Sequence, residues 1–286
     1  EDAVVETHIA FEPTQYLLEL ASPEQKEKLI YARPDSLAIV DWQVSDMEGN
    51  PIDRAHRVIG PEVRRSVVLG QLGRSVARMA RDPFLVSIGA RLPAGRYNVG
   101  VEILEPITGA VSSERFTLVV SSPEPGDLLE ISGLQLAAAF TPWSSQMRVP
   151  PEFVKYATAV VPAPDHRVPL GSDALGVYFE VRNLARDERG MNSFDVRYAI
   201  YRSSREIRDL AFQDEPDLDG LELVGPASLS FLEESTGASA EGLVIKGTEL
   251  DVGDLDAGDY VLVVTILDRL ADYSGSRATA FRVPSN

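Results

Sequence analysis

The chain writes one β-hairpin twice. Leu92–Val120 reads LPAGRYNVGVEILEPITGAVSSERFTLVV, and Leu255–Val283 reads LDAGDYVLVVTILDRLADYSGSRATAFRV. Both open Leu-x-Ala-Gly-x-Tyr and alternate apolar residues as far as Ile103 or Ile266. Both then pass a Gly-containing turn and close on a Phe-led apolar run. Tyr97 and Tyr260 lie 163 positions apart, and so do the two isoleucines. Alternation with period two gives each strand one face for a core and one for water. A lone hairpin is marginal in water, so each copy must close a larger β assembly. The repeat constrains architecture and is silent on chemistry.

Room for two assemblies exists, since 286 residues are about two domains' worth of chain. The best linker is Ser121-Ser122-Pro123-Glu124-Pro125-Gly126, polar and rich in Pro and Gly directly after a closing strand. It predicts domains at 1–121 and 128–286. In the first, Val5, Thr7, Ile9 and Phe11 share a parity, as do Ala38, Val40, Trp42 and Val44, with a strong turn at Asp46–Pro51. Ser22-Pro23-Glu24 reads as a helix start, Val63–Leu69 as a strand, and Ser75–Arg81 as a short helix before Asp82-Pro83. In the second, alternation over Leu175–Val181 and Phe194–Ile200 is clear, and about eight short strands are expected in all. Many short strands separated by turn residues, with no long amphipathic helix between them, predict an all-β protein of two tandem antiparallel β-sandwich domains, immunoglobulin-like in kind.

The absence of cysteine excludes disulfides, thiolate metal sites and a cysteine nucleophile. A net charge of −17 argues against a nucleic-acid footprint. The charge is uneven. Nine arginines between Arg54 and Arg96 (54, 57, 64, 65, 74, 78, 81, 91 and 96) stand against Glu62 and Asp82, a local balance of +7. Arg64, Arg65, Arg74 and Arg78 are therefore candidate partner-binding residues; the alternative is a set of solvated arginines paired with nearby carboxylates. No run approaches the roughly 18 apolar residues of a membrane helix. Residues EDAVVETH carry neither a basic nor an apolar leader region, so a signal peptide is expected to have been removed before Glu1.

From residue 128 onward a series of short patterns accumulates: Leu-Glu-Ile-Ser-Gly-Leu-Gln-Leu-Ala at 129–137, Val160-Val161-Pro162-Ala163-Pro164, and Val-Tyr-Phe-Glu-Val-Arg-Asn-Leu at 177–184. This series resembles the region that follows the GWxTD domain in bacterial exported proteins. The resemblance implies an exported, β-rich protein, periplasmic or extracellular, with no catalytic residues to carry over. Two departures stand out. Gly133 replaces an Asp of the pattern, and Gly-Trp-x-Thr-Asp itself is absent, with Trp42 in Asp-Trp-Gln-Val and Trp143 in Pro-Trp-Ser-Ser.

Motifs that carry chemistry are scarce. His8, His56 and His166 are far apart and lack metal-ligand spacing, and His8, opposite the apolar parity, is expected to be exposed. No Gly-x-Ser-x-Gly elbow, P-loop or dinucleotide fingerprint occurs. Asp214-Glu215-Pro216-Asp217-Leu218-Asp219-Gly220 offers hard oxygens, but Pro226 stands where an EF-hand needs its bidentate Glu. A plain acidic loop fits Asp214–Asp219 better than calcium. No cofactor or metal is expected. Phe140-Thr-Pro-Trp143 is the one aromatic loop, and Trp143 there is either a partner anchor or packed at a domain seam. These residues predict a non-catalytic exported protein acting through protein–protein contact or as an envelope scaffold. A carbohydrate- or surface-binding module is the first alternative, and accessory domains of an enzyme with an interdomain carboxylate site the second.

Overall fold

The computed structural model describes residues 3–11, 38–60, 63, 68, 84–106, 109–120, 129–147, 149–168, 172–203, 221–224, 229–233 and 244–285. The chain divides into two compact units, one made of Glu1–Ser122 with Thr141–Ala159, the other of Pro123–Phe140 with Val160–Asn286. The division near residue 122 coincides with the Pro-rich linker. The assignment of 141–159 to the first unit differs from a second domain running unbroken from 128 to 286. A stretch of the second half leaves its own unit and returns.

In the first unit, β1 (Ala3–Phe11) pairs with β4 (Phe84–Leu92) as one sheet. β3 (Pro51–Ile59), β2 (Ala38–Ser45), β5 (Gly95–Leu104) and β6 (Val111–Val120) follow one another in the second sheet. The alternation seen in the sequence sets the packing. Ala38, Val40, Trp42 and Val44 of β2 meet Val86, Ile88 and Ala90 of β4, with Tyr97, Val99 and Val101 of β5 beside them. Fully burying a side chain of this class contributes about 1.5–3 kcal/mol. Trp42 is the largest buried side chain in this core, and its indole Nε1–H donates across the sandwich to Thr7 Oγ1 at 3.1 Å. That bond satisfies a donor which burial would otherwise orphan. The β2–β3 turn is closed by Asp46, whose carboxylate accepts from the Asn50 backbone and side-chain nitrogens at 2.7 Å each. Gly49 supplies the left-handed φ of +89° that this turn needs.

The second unit repeats the arrangement. β11 (Ala174–Arg182) pairs with β15 (Val244–Asp251) on one edge, and on the other with β7 (Glu130–Ile131) and β8 (Gln135–Pro142). β10 (Thr158–Pro162) follows β8 in the same sheet, and β9 (Val154–Lys155), in the segment that belongs to the first unit, pairs with Thr158 and Ala159 at its start. The facing sheet runs β13 (Glu222–Leu223), β12 (Phe194–Ser203), β16 (Gly258–Asp268) and β17 (Tyr273–Val283), with β14 (Leu229–Glu233) also on β12. The duplicated hairpin keeps its register: Gly95 faces Val120 and Val101 faces Glu114, while Gly258 faces Val283 and Val264 faces Arg277. Carried one strand further, Trp42 opposite Val101 corresponds to Tyr198 opposite Val264. Both units therefore show the sheet order of an immunoglobulin-type sandwich, and the fold is all-β and antiparallel.

Two differences from the sequence reading have physical causes. β3 was not foreseen, because PIDRAHRVI does not alternate, and its burial explains why: eight of its nine residues are exposed or half-exposed. The strand expected over Val63–Leu69 is not what its described positions show. Val63 and Val68 are helical and buried. The helices expected near Ser22 and at Ser75–Arg81 lie outside the described residues.

Candidate functional site

Among the described residues of the first unit, Thr141–Ala159 carry the large exposed aromatics. Trp143 follows directly on the end of β8, and its backbone N–H donates to the Ala157 carbonyl at 2.9 Å. Ala157 and Tyr156 form the two-residue turn between Lys155 and Thr158, which are cross-strand partners. One backbone bond thus brings Trp143 beside the turn that bears Tyr156. Trp143 is 42% exposed and Tyr156 59%. Tyr156 holds φ at +50°, a region where a bulky residue is uncommon. The base of this tip is fixed by apolar burial. Val149 and Phe153 are buried, and the 3-10 turn at Pro151–Phe153 packs on β4. Around Trp143 lie the exposed, uncharged Ser144, Ser145 and Gln146.

Beneath the tip is a polar cluster that sequence spacing does not reveal, because its members are up to 149 residues apart. His8 and Ser87 are direct cross-strand partners on the face of the β1–β4 ladder turned away from the core. His8 Nδ1 bonds Ser87 Oγ, His8 Nε2 lies 3.5 Å from Glu6 Oε2, and Lys155 Nζ pairs with the same Glu6 oxygen. The expectation of an exposed His8 is corrected: its side chain is only 17% exposed, because the returning segment covers this face. Burial, reinforced by the Lys155 ammonium, pulls its pKa down to about 4, and Glu6 offsets only part of this. His8 is therefore neutral at ordinary pH.

Serine, histidine and glutamate in sequence are the ingredients of a hydrolase relay. The geometry is otherwise. Ser87 is 6% exposed and sits mid-strand opposite His8, not on the sharp turn that presents a nucleophile to substrate. The Glu6 carboxylate is engaged by Lys155. This arrangement ties Lys155, and with it the tip, to β1.

The remaining sequence candidates do not gather around this site. Arg64, Arg65, Arg74 and Arg78 lie outside the described residues, as does Asp214–Asp219. Of the same arginine group, Arg54, Arg57, Arg91 and Arg96 are exposed on β3, β4 and β5. His56 bonds Asp41 at 2.7 Å and His166 bonds the Ala280 carbonyl at 2.7 Å. Among the described residues no group of three or more His, Asp or Glu gathers as a metal site, and no helix is long and apolar enough to cross a membrane. In the second unit, Arg167, Gly258, Asp259 and Arg282 line an open cleft of about 400 Å³. Its carboxylate, Asp259, is held by Arg282 at 2.6 and 2.9 Å, a bidentate pair.

No protein-family model matches the chain, and no curated protein matches it. Among solved structures it is similar to a chain described as BspA_C_WT, at 8% identity and a TM-score of 0.23, covering 99% of this chain and 94% of that one. It is also similar to the Streptococcus agalactiae AgI/II polypeptide BspA C-terminal domain (wild type), at 9% identity and a TM-score of 0.21, covering 99% and 93%. A chain described as BspA_C_mut follows at 10% identity and 0.22, covering 99% and 92%. Scores of this size do not carry function from one protein to another.

Proposed function

We propose that this chain is a non-catalytic, exported binding protein that engages a protein partner through the Trp143–Tyr156 tip. The observation that carries the reading is the pair of exposed aromatic side chains set at one turn on a base anchored by Phe153. Trp and Tyr bring large apolar area at low entropic cost, which is why they dominate hot spots. A strained left-handed Tyr156 at the apex is the kind of local cost that persists where function holds it. Export rests on the resemblance to the sequences that follow GWxTD domains, and is part of the same proposal.

Glycan binding is the second reading. It is favoured by the uncharged Ser144, Ser145 and Gln146 next to Trp143, groups suited to sugar hydroxyls beside a ring that stacks on them. Crosslinking the full-length protein in its own cells, followed by mass spectrometry, separates the two. Under the leading reading a protein crosslinks to wild type and is lost from both Trp143→Ala and Tyr156→Gly. Glycine adopts the φ of +50° without strain, so this variant keeps the turn and removes only the ring. Retention on a glycan array with no protein crosslink would sink the leading reading.

A further inference from the structure

We infer that β3 is a docking edge for an acidic, extended segment of a partner protein, added as a further strand to the β3-β2-β5-β6 sheet. Among the described residues β3 has a strand neighbour on one side only, β2. In an antiparallel strand every second residue turns its N–H and C=O toward the neighbour, and the others turn theirs away. At an unpaired edge those groups form a template for an incoming chain. The Arg54 N–H donates to the Asp53 carboxylate at 2.8 Å, so an edge donor is capped by a local carboxylate oxygen.

The side chains say which chain fits. Residues 54, 56 and 58 share the outer face, by their register with Gln43, Asp41 and Ile39. They present a cation, a histidine already bonded to Asp41 and an apolar residue, and Ile52 precedes them where the register shifts. Ile52 is 46% exposed and Val58 58%, and on the same face Val58 continues across β2 and β5 to Ile39, Leu104 and the exposed Val111. On the opposite face stands Arg57. Arg54 and Arg57 are exposed, and neither makes an ion pair among the described residues. A cation on each face of the edge, in a chain of net charge −17, selects an incoming strand with carboxylates on both faces and apolar residues at its ends. Basic edge strands also serve simply to repel other strands, and the two roles differ in what they do with an acidic chain.

The probe is a capped heptapeptide Val-Val-Glu-Glu-Glu-Val-Val, whose adjacent glutamates fall on both faces of a strand, with its Val-Val-Lys-Lys-Lys-Val-Val counterpart as control. Amide hydrogen exchange of Ile52–Val58 is followed in the full chain at increasing peptide. The glutamate peptide should slow exchange along β3 and leave β6, the other edge of this sheet, unchanged. The double variant Arg54→Gln/Arg57→Gln should weaken binding about fivefold, as expected for losing two exposed ion pairs. Asp53→Asn, which removes the competing carboxylate, should strengthen it, a gain that misfolding cannot produce. Equal slowing by the lysine peptide, slowing confined to β6, or no slowing at all overturns the proposal.

Discussion

The Tyr260 hydroxyl donates to the backbone carbonyl of Asp256, four residues upstream, at 2.7 Å. Tyr97 makes the same bond to Pro93 at the same distance. Each bond folds the Leu-x-Ala-Gly-x-Tyr approach back on the start of its strand, the tyrosine corner of immunoglobulin-type sandwiches. Space is tight at Gly95, where a Cβ would lie 3.1 Å from the Tyr97 hydroxyl, but not at Gly258, where it would meet the Tyr260 ring at 3.7 Å. Tyr260 is buried against Phe281, ring centroids 5.4 Å apart, and burial raises its pKa above the ordinary value. Tyr260→Phe and Tyr97→Phe keep the ring and delete the bond. Each should cost about 1 kcal/mol, read as a lower denaturation midpoint with an unchanged m-value.

Thr7→Val tests the link between the two sheets of the first unit. The replacement matches threonine in shape and leaves the Trp42 indole N–H buried without a partner. The expected loss is about 1–3 kcal/mol. Tryptophan fluorescence in a Trp143→Phe background reports Trp42 alone, and a loss within error of zero would show that water replaces the hydroxyl.

Stability should depend on pH through His8. Its folded pKa of about 4 lies below the ordinary 6.5, so the unfolded chain takes up a proton more readily than the fold does. The contribution of neutral His8 is complete above about pH 6.5. It declines as the pH falls, and is gone below about pH 4. The full difference is about 3 kcal/mol. His8→Gln retains hydrogen-bonding capacity and removes the titration, so melting curves of wild type and variant should run parallel above pH 7 and converge toward pH 4. Parallel curves throughout would place the acid sensitivity elsewhere.

Asp268, buried at the end of β16, accepts from the backbone N–H of Ala185 at 2.6 Å, Leu270 at 2.9 Å and Ala271 at 3.1 Å. Asn192 Nδ2 donates to the Leu184 and Ala185 carbonyls beside it. Asp268→Asn turns an amide NH2 toward donors. With hydrogen bonds to a charged acceptor worth more than neutral ones, the change should cost about 2 kcal/mol and speed exchange at Ala185. Unaltered exchange there would separate the loop from the carboxylate.

Gly176 permits close approach of β8 to β11. A Cβ there would lie 2.7 Å from both the Ala137 carbonyl oxygen and Phe140 Cε2. Gly176→Ala should destabilise the second unit by about 1–3 kcal/mol, and Phe140→Leu should recover only part of it, because the backbone clash remains. Full recovery would mean that the ring alone sets the limit.

What the sequence made legible follows period and punctuation. Tyr97 and Tyr260 marked both hairpins, and the alternation of Val40, Trp42 and Val44 announced the core face of β2. β3 escaped because an edge strand wet on both faces has no period to display. Glu6, His8, Ser87 and Lys155 escaped because a cluster assembled across a sheet and a returning segment leaves no local spacing. Of the expected aromatic loop Phe140–Trp143, Phe140 to Pro142 belong to β8 and Trp143 follows it exposed; Tyr156 carries no signal, since nothing in Lys-Tyr-Ala-Thr marks a left-handed turn.

The excursion of Thr141–Ala159 bears on how the molecule can be taken apart. Cutting at the Pro-rich linker looks like a clean severing of two domains, yet it strands Phe153 and Lys155 on the wrong fragment. A fragment ending at residue 121 would leave Leu85, Ser87 and His8 without their cover, and the remainder would trail a flap that belongs to something else. Two folds are present, but they are not separable goods: the first is finished only after Pro123–Phe140, the opening piece of the second, has been made, so its completion during synthesis waits on chain from beyond its own apparent end.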